Sequence, residues 1–142
     1  MDSRLSGFRY VAVEREGNIF IITLRNGDEN RLRIDFCQEI IRCFHAIQSI
    51  LGSSSEGAVI VRGNNEKFWC TGVDLTERTT YPYANSDGFY PMIHTILDFP
   101  FPTVALLTGH TFGGACPFAL AHDYRVMNSE RGFFCMVGGE SN

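Results

Sequence analysis

The stretch Val104-Ala-Leu-Leu-Thr-Gly-His-Thr-Phe-Gly-Gly-Ala-Cys-Pro-Phe-Ala-Leu-Ala-His-Asp123 decides the fold of this chain. An apolar run typical of a buried strand enters a glycine turn at Gly109, and the pair Gly113-Gly114 opens a helix of small residues. That order places unpaired backbone N–H groups at a helix N-terminus, where the dipole favours negative charge. The stretch therefore predicts a site for a phosphate, a carboxylate or the oxyanion of an activated acyl group.

The composition narrows the class of protein. The chain has 142 residues, 44% of them hydrophobic, and a net charge of −4. That length suits one domain with a substantial core. No block of basic residues is present, which predicts no nucleic-acid partner, and no apolar run approaches the roughly 20 residues of a membrane span. The five cysteines and four histidines lack paired ligand spacing, which predicts reduced, mostly buried thiols and no metal site.

The rest of the chain alternates strand-like and helix-like patterns, which predicts an α/β fold whose sheet is built by crossover connections. A hairpin comes first, with strands at 8–14 and 19–24. Segment 76–87 is polar and rich in turn residues, which predicts a mobile loop over a site. The other predicted helices are 35–50, 89–99 and 113–121, and the other predicted strands are 58–61, 103–107, 124–127 and 133–136.

Two glycine loops follow two of the apolar strands and are predicted to face one crevice. Cys70-Thr-Gly-Val-Asp74 comes after strand 58–61, and segment 109–115 comes after strand 103–107. In crossover sheets, ligands bind beyond the carboxyl ends of the strands. Two backbone donors that converge on one oxygen form an oxyanion hole, so the loops are candidates for one. The competing interpretation is that these glycines serve only tight turns.

Single ionisable residues near these loops have structural interpretations that compete with chemical ones. Asp74 is predicted to cap or orient its loop, and Glu77 to be solvated. His110 lacks a carboxylate partner in the sequence pattern, which favours a structural role. His122 falls at a helix end, where a charged imidazole would suit the dipole.

Three motifs follow one another along the chain: Phe68-Trp-Cys-Thr-Gly-Val-Asp-Leu75, Gly109-His-Thr-Phe-Gly-Gly-Ala-Cys116 and Ala121-His-Asp-Tyr-Arg125. Their order and spacing resemble those of the crotonase (enoyl-CoA hydratase/isomerase) superfamily. Asn30-Arg-Leu32 and Arg131-Gly-Phe-Phe-Cys-Met136 look most like its peroxisomal Δ3,Δ2-enoyl-CoA isomerases. The resemblance runs from about residue 8 to residue 136. Residues 1–136 are therefore predicted to form a partial crotonase-like domain, and 137–142 a tail without family likeness.

The resemblance implies an incomplete ββα spiral that binds acyl-CoA thioesters, with coenzyme A as part of the substrate and no separate cofactor. The thioester carbonyl would accept hydrogen bonds from the backbone N–H groups of Val73 and Gly114. This oxyanion hole would stabilise an enolate-like intermediate as negative charge develops on the oxygen. The substrate-binding residues that the resemblance implies are Thr71, Gly72, Val73, Asp74, Leu75 and Gly114.

Two departures from the family pattern bear on the reaction. Hydratases of the family carry a glutamate where this chain has Pro117, which has no proton to exchange, so double-bond migration is favoured over hydration. Isomerases use a glutamate just past the segment that ends at Met136, whereas Glu140 lies two residues beyond the expected position. Whether the chain is an enzyme therefore stays open. The alternative is a truncated, catalytically inactive remnant that at most binds acyl-CoA. Residues 139–141 can be encoded by codons that contain a splice-donor sequence, so read-through into an intron would explain such a truncation.

Other expectations follow from the resemblance or compete with it. Segment Gly109-His-Thr-Phe-Gly113 is similar to the nucleophile elbow of a hydrolase, with Thr111 as the nucleophile. Such an enzyme also needs an Asp and a His later in the chain, but His122 and Asp123 are adjacent to each other and too close to the elbow. Full-length members form homotrimers through the half that this chain lacks, so the last strands should expose apolar surface. The resemblance implies a peroxisomal location, although the chain does not end in a targeting signal of the Ser-Lys-Leu type. If the protein is not peroxisomal, the expected location is the cytoplasm. The pathway would be fatty-acid β-oxidation or the synthesis of fatty-acyl secondary metabolites such as toxins.

Overall fold

The fold is built from two sheets that receive strands alternately along the chain. The computed structural model describes residues 2–130 and 132–136. The strands are β1 (Val11–Glu16), β2 (Ile19–Leu24), β3 (Ala58–Arg62), β4 (Phe68–Cys70), β5 (Thr103–Leu107), β6 (His110–Phe112), β7 (Tyr124–Met127) and β8 (Phe134–Cys135). The α-helices are α1 (Ile34–Leu51), α2 (Leu75–Thr80), α3 (Tyr90–Leu97) and α4 (Ala115–Leu120).

The topology is a ββα spiral. The larger sheet has the order β1-β2-β3-β5-β7, in which only β1 and β2 are antiparallel, and the smaller sheet is β4-β6-β8. Each turn of the spiral gives one strand to the larger sheet, the next strand to the smaller sheet, and then a helix. The described residues contain two such turns, β3-β4 with α2 and α3 and β5-β6 with α4, followed by the strands β7 and β8. This is the α/β architecture that the sequence and its resemblance predict.

The core lies between the larger sheet and α1. The buried side of α1 includes Phe36, Phe44 and Ile47, all fully buried, and β2 contributes Phe20 and Ile22. Burial of each such side chain stabilises the fold by about 1.5–3 kcal/mol. The helix is amphipathic because these apolar residues recur at helical spacing. Within the described residues, no helix combines the length and the apolar character needed to cross a bilayer.

Several predicted elements have the expected bounds, and the differences have local causes. The predicted strands 19–24, 103–107 and 124–127 match β2, β5 and β7, and α1 is one residue longer at each end than predicted. The first strand begins at Val11 instead of residue 8. The N–H groups of Arg9 and Tyr10 donate to the carboxylate of Glu39, on α1, which ties this segment to the helix before the strand pairing starts.

The prediction of a loop at 76–87 is wrong. The segment contains α2 and enters a π-helical turn, Asn85–Phe89, that leads into α3. Helix α2 has no buried residue, so its sequence carries no apolar periodicity to reveal it. Its first turn forms because the Asp74 carboxylate accepts a hydrogen bond from the N–H of Glu77 at 3.0 Å.

Candidate functional site

The loop after β4 and the loop after β6 meet at one cleft. A Cβ atom built on Gly72 would lie 3.1 Å from the carbonyl oxygen of Phe112 and 3.2 Å from the nitrogen of Gly114. The backbone of Gly72 is left-handed, with φ of +105°. Both the conformation and the close approach require glycine at this position. The local sequence thus brings the backbone of one predicted loop into contact with the backbone of the other.

Two backbone donors in this contact have no partner within residues 2–130 and 132–136. Leu32 pairs with the loop in parallel fashion: its N–H donates to Gly72 O at 2.9 Å, and its carbonyl accepts from the N–H of Asp74 at 2.9 Å. This register leaves the N–H of Val73 on the opposite side of the loop. The N–H of Gly114, just before α4, also donates no hydrogen bond there. An oxygen that carries negative charge could accept from both groups.

These donors open onto a cleft of about 830 Å³. The volume lies within the range of about 300–1,000 Å³ that is usual for small-molecule sites. The wall is mixed, with apolar side chains beside glycine backbone and three charged groups. Its residues are Glu29, Arg31, Phe68, Thr71, Gly72, Val73, Leu75, Arg78, Phe112, Gly113, Gly114, Pro117, Cys135 and Met136. A ligand with an apolar part, a polarised oxygen and an anionic part would match this wall.

The structure places five of the six residues named from the sequence on the cleft, namely Thr71, Gly72, Val73, Leu75 and Gly114. The hydroxyl of Thr71 donates to the Glu29 carboxylate at 3.1 Å, which ties the loop to the segment after β2. Asp74 is the exception, because it lines a separate cavity of about 10 Å³ beside α1.

The carboxylate of Asp74 has a structural task, as predicted. It caps α2 and contacts Arg33 at 3.4 Å. The N–H of Glu77 lowers the pKa of the Asp74 carboxyl, and Arg33 adds to that effect. The prediction that Glu77 is solvated is wrong. Its side chain is only 14% exposed, and its carboxylate accepts from the N–H of Ile34, the first residue of α1, at 2.8 Å.

The two histidines near the site are structural. His110 stacks between Phe112 and Phe133, at centroid distances of 5.1 and 5.2 Å, and accepts a hydrogen bond from the N–H of Phe133. His122 is buried, and burial lowers its pKa to about 4. The expectation that a charged His122 suits the helix dipole is therefore wrong. Its imidazole is neutral at neutral pH, with Nδ1 2.9 Å from the carbonyl oxygen of Phe118.

The thiols beside the loops are packing groups. Four of the five cysteines are buried, and Cys135 is half-buried on the cleft wall. Burial raises the pKa of Cys70 to about 12, and its thiol donates to the carbonyl oxygen of Asn30. Burial also raises the pKa of Cys116. These two thiols stay protonated at neutral pH and are poor nucleophiles.

The structure does not support the hydrolase interpretation, because Thr111 is not placed to act as a nucleophile. Thr111, at the elbow position, is fully buried, and its hydroxyl donates to the carbonyl oxygen of Gly109 at 3.2 Å. Activation of a hydroxyl requires a hydrogen bond to a base, and here that bond goes to the backbone. Pro117 lines the cleft and supplies no proton. Glu140, the carboxylate considered as an isomerase base, lies outside the described residues.

Asn30 lies behind this site and makes a contact that the sequence did not reveal. It is fully buried, and its side chain bonds to the carbonyl of Trp69, the residue that precedes Cys70 in β4. The available signal was a polar residue in the turn-rich segment before Leu32. That signal indicates a turn, and it says nothing about a bond to a strand that lies 39 positions further along the chain.

Comparison with known proteins now gives the relatives of this chain. Enoyl-CoA delta isomerase 3 of Arabidopsis thaliana is 31% identical over 137 residues, which cover 87% of this chain and 54% of that protein. The peroxisomal enoyl-CoA delta isomerase 2 of the same plant is 31% identical over 133 residues, with the same two coverages of 87% and 54%. The chain thus spans about half the length of the curated relatives it matches.

Solved structures share the fold. An enoyl-CoA hydratase/carnitine racemase from Magnetospirillum magneticum superposes with a TM-score of 0.78 at 24% identity, over 99% of this chain and 54% of the other. An enoyl-CoA hydratase from Bacillus anthracis gives 0.73 at 24% identity, over 84% of this chain and 47% of the other. The family model described as enoyl-CoA hydratase/isomerase matches residues 14–136. The chain therefore belongs to the enoyl-CoA hydratase/isomerase family.

Proposed function

We propose that the cleft binds the thioester of an unsaturated fatty acyl-CoA, with its carbonyl oxygen between the N–H groups of Val73 and Gly114. The observation that carries this proposal is the pair of unpaired donors on adjacent loops. The family of the chain supports an acyl-CoA ligand. Coenzyme A enters as part of the substrate, and the proposal includes no separate cofactor.

The proposed reaction is migration of a double bond from position 3 to position 2 of the acyl chain. A base removes a proton from C2, the electron pair spreads onto the thioester oxygen, and a proton returns at C4, so atoms and electrons balance within the substrate. Val73 and Gly114 would stabilise the negative oxygen, and loss of one such donor costs about 100- to 1,000-fold in rate. Pro117 on the cleft wall supports migration over hydration, because water addition needs a group that exchanges protons there.

Calorimetry with two matched ligands tests the binding site. Octanoyl-CoA carries the thioester carbonyl, and octyl-CoA is the thioether that lacks it. Two hydrogen bonds to the carbonyl should make octanoyl-CoA bind about tenfold more tightly or better. Equal affinities would contradict the proposed carbonyl site, since the remaining parts of the two ligands are the same.

Turnover distinguishes an isomerase from the alternative, a catalytically inactive remnant that binds acyl-CoA. A 3-enoyl-CoA substrate gains the absorbance of a conjugated thioester when it is isomerised, and a 2-enoyl-CoA loses that absorbance when it is hydrated. Isomerase activity predicts the first change without the second. Binding of octanoyl-CoA with neither change would favour the inactive protein.

We also propose a peroxisomal role in the β-oxidation of unsaturated fatty acids. Two of the Arabidopsis relatives carry the word peroxisomal in their names, which supports this location. Synthesis of fatty-acyl secondary metabolites is the alternative pathway, and assembly into a homotrimer is likewise a proposal here. Loss of the gene should impair growth on an unsaturated fatty acid and spare growth on a saturated one. Equal growth on both would favour the alternative pathway.

A further inference from the structure

Asn30 combines a strained backbone with a fully satisfied side chain. It is the one non-glycine residue of the described chain with positive φ, at 52°, and it is fully buried. Its Nδ2 donates to the carbonyl oxygen of Trp69 at 3.0 Å and to Oδ1 of Asn64 at 3.3 Å, while its own Oδ1 accepts from the N–H of Asn26 at 2.8 Å. Buried polar groups bonded in this way fix one arrangement, because any other leaves them unsatisfied.

The segment that Asn30 anchors is the template for the proposed oxyanion loop. Besides the two bonds of Leu32, the carbonyl of Glu29 accepts from the N–H of Thr71 at 3.0 Å. Segment 29–32 therefore holds 71–74 in parallel register, with Asn30 bonded to Trp69 at the start of that pairing. In an extended chain, successive N–H groups point to opposite sides, so the register that turns Asp74 towards Leu32 turns Val73 away from it.

We propose that Asn30 is a positioning residue for the oxyanion hole. By locking segment 29–32 against Trp69, it sets the register that directs the N–H of Val73 towards the cleft. Asn30 does not line the cleft and acts only through the backbone of 71–74. This inference rests on the proposed function, because Val73 matters only if a carbonyl binds there. A displacement of a donor by about 1 Å can cost about 100-fold in a preorganised site.

The substitution Asn30→Asp replaces the amide donor with a carboxylate that faces two acceptors, the carbonyl oxygen of Trp69 and Oδ1 of Asn64. Aspartate has the same shape and tolerates positive φ, but its oxygen cannot donate to the carbonyl of Trp69. We expect the preference for octanoyl-CoA over octyl-CoA to fall about tenfold or more, with the affinity for octyl-CoA nearly unchanged. A cinnamoyl-CoA chromophore should shift to the red on binding to the wild-type protein, because the two donors polarise its carbonyl, and this shift should be lost in Asn30→Asp. The control is Val13→Ala in β1, which destabilises the core without touching these loops.

The outcomes separate the two proposals. If the wild-type protein shows no preference for octanoyl-CoA, the proposed function fails, and this inference fails with it. If the wild-type protein shows the preference and Asn30→Asp keeps both the preference and the red shift, as Val13→Ala should, only the inference is overturned.

Amide hydrogen exchange on the wild-type protein gives a second test if Asn30→Asp does not fold. The amides of Leu32 and Asp74 should be protected in the free protein, while that of Val73 exchanges readily. Octanoyl-CoA should protect the Val73 amide, and octyl-CoA should not. Protection of the Val73 amide in the free protein would overturn the register argument.

Discussion

At Gly72, two separate constraints act on one residue. Its φ of +105° is unfavourable for any residue with a Cβ, and its Cβ position lies 3.1–3.2 Å from two backbone atoms of the second loop. Gly17, in the β1–β2 turn, shares only the first constraint, because its φ is +62° and no atom lies within 4 Å of its Cβ position. Gly17 therefore serves as a position where positive φ acts without crowding.

We predict that Gly72→Ala destabilises the protein more than Gly17→Ala does. Strain alone should lower the free energy of unfolding by about 1 kcal/mol at Gly17, whose φ lies in the left-handed helical region, and by about 1–3 kcal/mol at Gly72, whose φ of +105° lies outside it. Crowding should add about 1–2 kcal/mol at Gly72 and weaken octanoyl-CoA binding, because the new methyl group lies against Gly114 N. Urea denaturation and calorimetry measure the two effects. Equal losses of stability in the two variants would contradict both the larger strain and the crowding at Gly72.

His122 predicts how stability depends on pH. Burial lowers its pKa to about 4 in the folded protein, from an ordinary value of 6.5. Below about pH 6.5 the unfolded chain takes up a proton that the folded protein refuses, so stability falls as the pH falls and levels off below about pH 4. Above that window the residue contributes no pH dependence. The free energy of unfolding should be about 2 kcal/mol lower at about pH 5 than at about pH 7.

The variant His122→Gln isolates this contribution. Glutamine can donate to the carbonyl oxygen of Phe118 but does not titrate, so most of the slope between about pH 7 and about pH 5 should disappear. The titration of Asp74 does not contribute to the slope between about pH 7 and about pH 5. Its pKa is lowered, and its stabilisation is therefore lost only below its ordinary value of 3.8. A slope that persists in His122→Gln would assign the effect to another group.

Among the elements, α1 receives a cap from α2. Arg33, the residue before α1, makes no side-chain cap of its own, and the N–H of Ile34 is capped instead by Glu77 from α2. The N–H of Glu77 is in turn capped by Asp74. The first turn of α1 thus depends on Glu77 of α2, and the first turn of α2 depends on Asp74, the residue after Val73.

We predict that Glu77→Ala lowers the free energy of unfolding by about 1–2 kcal/mol, because it uncaps α1. Glu77→Gln keeps an acceptor oxygen for Ile34 and loses only the partly exposed ion pair with Arg33, which costs about 0.5 kcal/mol. Urea denaturation of both variants measures the difference. The control is Glu14→Ala, which breaks an exposed pair with Arg62 and should cost less than about 0.5 kcal/mol. Equal losses for the Ala and Gln variants would assign the effect to charge.

The elements that the sequence predicts well are those with a pattern of their own. Strand β5 contains the apolar run 104–107 between Pro102 and Gly109, and α1 has five turns of regular apolar spacing. Helix α2 and the three-residue strands β4 and β6 have no such pattern, because they are too short to show a period, and the two strands pair with segments that are distant in sequence. The same reason hides Asn30, whose task depends on a pairing between segments 29–32 and 71–74.

At the scale of the whole molecule, apolar side chains are exposed where the two sheets end. Among residues 2–130 and 132–136, β7 is an edge strand that pairs only with β5, and β8 pairs only with β6. Tyr124 is 63% exposed and Val126 is 52% exposed, on one face of β7, and Phe133 and Met136 are 68% and 59% exposed. The expectation of apolar surface on the last strands is therefore confirmed. An edge of this kind combines unpaired backbone groups with apolar side chains, which favours association with another chain.

We predict that the 142-residue chain self-associates through this edge as its concentration rises. Val126→Lys should shift association to higher concentration, because a charge on an edge strand opposes pairing with another strand. Sedimentation velocity over a series of concentrations measures this shift. Ile19→Lys is the matched control, since Ile19 is 44% exposed but lies on the internal strand β2. It makes the same change in charge without touching an edge, so it should leave association unchanged. If both variants weaken association equally, net charge is the cause and the β7 edge is not the surface of contact.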